Sequence, residues 1–145
     1  MKLDHIGVVF KSLSRGRSYF KKNYGFKPLT SPKNEKAHGV KVQFLDIGYG
    51  TSGPVIEIIS PINKDSKINN FLEKSGESVH HLAYYIEKIE DEIKRFQKNG
   101  MILISDIVLG AGHKKSRTIW LMGQNRELVE LIEKKKNIKF KNRLT

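Results

Sequence analysis

The sequence predicts an α+β protein made of two tandem βαβββ units whose sheets curve around one shared cleft. Three observations lead there. Residues 79–100 (VHHLAYYIEKIEDEIKRFQKNG) pass from a strand-type run carrying His80 and His81 into an amphipathic helix with Ile89, Ile93 and Phe96 inward. Residues 3–25 repeat that order, and His5, Phe20 and Asn23 sit at one common offset from His81, Phe96 and Asn99. Each half then closes on an apolar strand broken by a single acid, VIEIIS with Glu57 and LVELIE with Glu130.

The elements follow in order. Strand one, about residues 2–10, alternates so that His5, Gly7 and Val9 share a face. Ser12 or Ser14 can cap the next helix, which buries Tyr19, Phe20 and Tyr24 and stops at Gly25. A short strand at 26–30 is broken by Pro28, and the polar stretch 31–38 reads as a loop. Residues 39–47 alternate as a strand, 48–54 turn on three glycines, and 55–60 form the central strand with Glu57. Residues 61–78 link the halves through a helix with Ile68, Phe71 and Leu72 inward. The second half repeats the series with strands at 101–105, 118–122 and 128–133, and a glycine-rich basic loop at 109–115. One domain is expected: module one about 1–60, linker helix about 61–78, module two about 79–133 and a basic tail at 134–145.

Composition narrows the function classes. With no cysteine, neither a disulfide framework nor a thiolate metal site is available. No apolar run approaches a membrane span, and residues 6–10 are too short for a signal-peptide core, so a cytoplasmic location without membrane contact is expected. The net charge is +12, but Lys134, Lys135, Lys136, Lys139, Lys141 and Arg143 supply half of it from one acid-free run. That run reads as a solvated end, and nucleic acid is not the expected partner.

An ionised carboxylate in a central strand costs several kcal/mol unless it is paired or binds metal. Glu57 and Glu130 both pose that problem, each matched to a histidine in its own module's first strand, and no basic residue lies within these strands. Two imidazoles and two carboxylates, His5, Glu57, His81 and Glu130, suit one divalent ion: Ni, Co, Zn, Mn or Fe. His80 is expected on the opposite face from His81, while His113 lies in a loop that could border the cleft.

The runs LDHIGVV, PINKDSKINNFLEKSGESVHHLAY and QNRELVELIE resemble the vicinal oxygen chelate superfamily, which includes glyoxalase I, methylmalonyl-CoA epimerase, extradiol dioxygenases and antibiotic-binding proteins. The likeness spans about residues 3–133, and the family's metal positions fall on His5, Glu57, His81 and Glu130. The centre and the GAG at 110–112 are most similar to the methylmalonyl-CoA epimerases. The chain departs from them in a short turn at 122–127, and in Val42 and Gln43 where some epimerases carry a separate acid.

The resemblance implies a metal-dependent isomerase or epimerase that removes a proton α to a carbonyl. Glu57 and Glu130 would be its acid–base pair, with Glu130 as the mobile base. Lactoylglutathione lyase activity and a non-catalytic ligand- or antibiotic-binding role are the alternatives. Lys114, Lys115 and Arg117 are candidate contacts for an anionic small-molecule substrate, and a homodimer is expected from the family's habit.

Overall fold

The computed structural model describes residues 1–110 and 113–144. The first half runs β1 (Lys2–Val9), α1 (Leu13–Tyr24), β2 (Lys27–Pro28), β3 (Lys33–Glu35), β4 (Val40–Asp46) and β5 (Val55–Pro61). After α2 (Ile68–Ser75) come β6 (Val79–Ile86), α3 (Ile89–Lys98), β7 (Ile102–Leu103), β8 (Val108–Leu109), β9 (Arg117–Met122) and β10 (Leu128–Glu133). A 3₁₀ turn, Phe140–Asn142, follows.

The strands make one curved, unclosed sheet in the order β2-β4-β5-β1-β6-β10-β9-β7, with β3 on β4 and β8 on β9. Its symmetry is plain in the pairing. β1 runs parallel to β5 and β6 parallel to β10, while β1 and β6 meet antiparallel at the centre. In each half the glutamate stands beside the residue two after the histidine, Glu57 beside Gly7 and Glu130 beside Ala83.

Local chemistry sets the outer helices. The Ser12 side chain accepts from the Arg15 N–H, and Gly25 closes α1 in the left-handed region at φ 73°, where a Cβ would be strained. Glu90, Asp91 and Glu92 in the first turn of α3 and Arg95 and Lys98 in its last complement the helix dipole. Phe20 and Leu13 of α1 pack on Val8, Ile56 and Ile58, and Ile89 of α3 packs with Leu121 and Leu131 on the matching outer face.

The inner face is covered differently at its two ends. Ile68, Phe71 and Leu72 of α2 lie over Val9, Val42 and Ile59, whereas Phe140 of the tail lies over Ala83, Tyr85 and Ile132. The tail is thus no wholly solvated end. Lys135, Lys136, Lys139 and Lys141 are exposed, but Arg143 is buried against Asp4. The stretch 31–38 also departs from a plain loop, because Lys33–Glu35 pairs with the outer half of β4 through backbone bonds that its polar side chains do not advertise. Among the described residues no helix is long and apolar enough to cross a membrane.

Leu131 is fully buried between β9 and α3. Leu131→Ala should cost about 2–5 kcal/mol in urea unfolding, with the neighbouring Glu130 still on the inner face.

Candidate metal centre

His5 on β1, Glu57 on β5, His81 on β6 and Glu130 on β10 occupy the four central strands and meet at one point. Nε2 of His5 is 2.9 Å from Nε2 of His81. Glu57 Oε2 lies 3.4 and 3.6 Å from those two nitrogens, and Glu130 Oε2 lies 3.6 and 3.8 Å from them. All four residues are buried. Donors about 2.0–2.2 Å from a shared ion stand roughly 3.0–3.6 Å apart in octahedral or tetrahedral arrangements, which is close to this set. The N₂O₂ chemistry fits a divalent transition ion, and the four would be its ligands.

Two irregularities in the β1–β6 ladder supply the next layer of contacts. Leu3 pairs with Tyr84 and His5 with Ala83, leaving Asp4 bulged; Gly7 pairs with His81 and Val8 with Val79, leaving His80 bulged. Both bulged residues precede a candidate ligand and reach its Nδ1. Asp4 Oδ2 is 2.8 Å from His5 Nδ1, and His80 Nδ1 is 3.0 Å from His81 Nδ1. The carboxylate must accept, so His5 donates from Nδ1 and turns Nε2 toward the common point. His80 was expected behind the sheet; the bulge instead brings it beside His81, against Phe71 and Trp120. His113 does border the site, its Nε2 2.8 Å from the same Asp4 oxygen.

Gly7 makes this approach possible, since a Cβ there would come within 2.1 Å of the His81 ring. Electrostatics follow from burial and mutual charge. Burial opposes the charged form of His5, but the Glu57 charge and the Asp4 hydrogen bond outweigh it and raise its pKa well above 6.5. His81 is held well below that value by burial and by the other histidines. Burial pushes the Glu130 carboxyl up to about 8. Asp4 goes the other way: despite burial, the charge and hydrogen bond of His113 keep it well below the usual carboxylate range.

Two cavities flank the cluster. The larger, about 320 Å³, is lined by Glu57, His80, His81, Trp120, Phe71 and Lys67, among others. A smaller one of about 70 Å³ touches Glu130, Thr118 and Gly110, and Glu35, Ala37 and His38 line both. None of Lys114, Lys115 and Arg117 lines either cavity. Arg117 is bound to Glu90 at 2.5 Å and Glu133 at 3.1 Å, on the α3 side of β9, and Lys115 borders an outer hollow with Glu90 and Lys134. Ala111 and Gly112 of the GAG run lie outside the described residues. Sequence reasoning passed over Asp4, Arg143, Trp120 and Lys67. The alternation of β9 did carry a signal, since Trp120 and Thr118 share the face opposite Ile119 and Leu121.

Comparison with known proteins bears on the family and the fold. Residues 4–120 match the model of the Glyoxalase/Bleomycin resistance protein/Dioxygenase superfamily. An uncharacterized protein of Bacillus subtilis, YqjC, is 30% identical over 92% of this chain and 93% of its own length. The mitochondrial methylmalonyl-CoA epimerase of Dictyostelium discoideum is 28% identical over 92% of this chain and 78% of its own. Among solved structures, a hypothetical protein from Bacillus halodurans superposes with a TM-score of 0.81 at 30% identity, covering 95% of this chain and 97% of that one.

Gly7→Ala should displace the His81 ring and weaken Zn²⁺ or Co²⁺ binding by roughly tenfold or more, read by competition with a chromophoric chelator while circular dichroism stays native. The raised groups give a second test. Glu130 binds its proton more tightly folded than unfolded, so its contribution is full below pH 4.5 and is lost as pH rises toward 8. His5, also raised, acts in the same sense, and His81, lowered, adds nothing above 6.5. Metal-free protein should therefore lose stability between pH 6.5 and 8, and saturating divalent metal should suppress that loss. A rise in melting temperature over this window would contradict the assignment.

Proposed function

The chain belongs to the glyoxalase/bleomycin resistance protein/dioxygenase superfamily, and on that premise we propose that it is a metal-dependent epimerase acting α to the carbonyl of an acyl-CoA thioester of the methylmalonyl type. The observation that carries this reading is the pair of carboxylates, Glu57 and Glu130, held on either side of two convergent imidazoles. The named epimerase relative supports the substrate class.

His5, Glu57, His81 and Glu130 would hold the ion, which as a Lewis acid would stabilise negative charge developing on a substrate carbonyl oxygen. Epimerisation then needs one group to take the α proton and another to return a proton to the opposite face. Glu57 opens on the larger cavity, so it meets a substrate seated there first. Glu130, reached from the smaller cavity, is the partner that returns the proton. Each carboxylate would thus be both a candidate ligand and a proton carrier at its Oε atoms. The apolar wall of Phe71, Ile59 and Trp120 excludes water from the exchanging carbon, and Lys67 offers an anionic substrate a cation at the cavity edge.

Glu57→Gln and Glu130→Gln should each leave a folded protein in which solvent-deuterium exchange into methylmalonyl-CoA falls by about 10²–10⁴-fold. Exchange at the wild-type rate in both variants, or none in the wild type across a panel of acyl-CoA thioesters, would falsify the assignment.

A further inference from the structure

The tail contains a buried guanidinium that the proposed chemistry does not use. Arg143 is 1% exposed, and each of its five N–H donors has an acceptor. Nε donates to Asp4 Oδ1; Nη1 donates to the carbonyls of Thr51 and Phe140 at 2.7 and 3.0 Å; Nη2 donates to those of Asp4 and Gly53 at 3.2 and 2.9 Å. The guanidinium carbon lies 3.7 Å from the centroid of the Phe140 ring. Asp4 is fully buried, and its second oxygen accepts from His5 and His113.

These contacts form an unbroken series from the tail to the cluster: guanidinium, carboxylate, imidazole, common point. Without the Arg143 donor on Oδ1, the Asp4 carboxylate loses the contact that fixes its plane and can turn about its Cβ–Cγ bond. Such a turn carries Oδ2 away from His5 Nδ1, and with it goes the preference for Nδ1–H outward and Nε2 inward. The second half has no such support. His81 leans on His80, an imidazole where the first half has a carboxylate. The two histidines are therefore held by unequal means, and only the first depends on the tail.

We propose that Arg143 is a positioning residue for the metal centre, holding the Asp4 carboxylate in place so that Asp4 orients His5 toward the ion. This rests on the metal-site reading above. The role is more than packing: Arg143 joins the tail to the turn before β5 through backbone carbonyls and to β1 through a carboxylate that also touches His5.

The test uses the full chain as Arg143→Met, Arg143→Lys, Asp4→Asn and the double variant Asp4→Asn/Arg143→Met. Co²⁺ affinity is read by chelator competition, ligand geometry by the visible spectrum of the Co²⁺ protein, and stability by thermal unfolding without metal. Arg143→Met and Asp4→Asn should each bind Co²⁺ about 10–100-fold more weakly, with an altered spectrum and a lower melting temperature. The double variant strands neither charge, so it should recover most of the melting temperature but not the affinity or the spectrum. Arg143→Lys should recover part of the affinity. If Arg143→Met does not fold, the double variant and Arg143→Lys carry the test. Wild-type affinity in Arg143→Met or in the double variant overturns the inference and leaves the metal reading intact. A wild-type protein that binds no divalent ion overturns both.

Discussion

Four ionisable side chains aimed at one spot within a sheet cannot all keep their usual charge in each other's company. Something positive must stand between them, whether protons or an ion. The departures in pKa register that constraint: His5 goes up, His81 goes down, and Glu130 approaches neutrality's upper side at about 8. Much of the architecture serves to tolerate it. Two parallel strand pairs bring one glutamate and one histidine each, the antiparallel seam joins them, and Gly7 leaves room for the second imidazole.

The duplication explains both the convergence and the asymmetry. Copying the βα-strand unit and packing the copies antiparallel puts like residues face to face, as His5 and His81 are. The copies have since diverged in what backs them. One bulge presents a carboxylate and the other an imidazole, and the inner face is closed by a helix at one end and by Phe140 at the other. The linker and the tail are thus counterparts, each following the last strand of its half and folding back over the apolar residues beside the site.

The ligand set was legible because two signals coincided: a fixed offset between the halves, and an acid in each otherwise apolar strand. Those patterns survive in a single sequence because strand alternation is regular around Glu57 and Glu130. Asp4 and His80 were not legible, since a bulge shifts alternation by one residue and leaves no compositional mark. Arg143 was hidden among lysines that are in fact exposed. Lys114, Lys115 and Arg117 were chosen for following a glycine loop, yet Arg117 shares its face with Ile119 and Leu121, the face that meets α3. The short strands β3 and β8 escape any periodicity argument, because two or three residues do not make a period.

The contact between Asp4 and Arg143 joins residues 139 positions apart. Such a closure is entropically slow and gains nothing until both ends of the intervening chain are arranged. Ribosomal synthesis delivers the arginine only after both halves have been made. The two modules can therefore dock before this clamp exists, and the first histidine acquires its backing only once the segment around Arg143 has been made. Metal loading that depends on that histidine would wait on the tail rather than on either half alone.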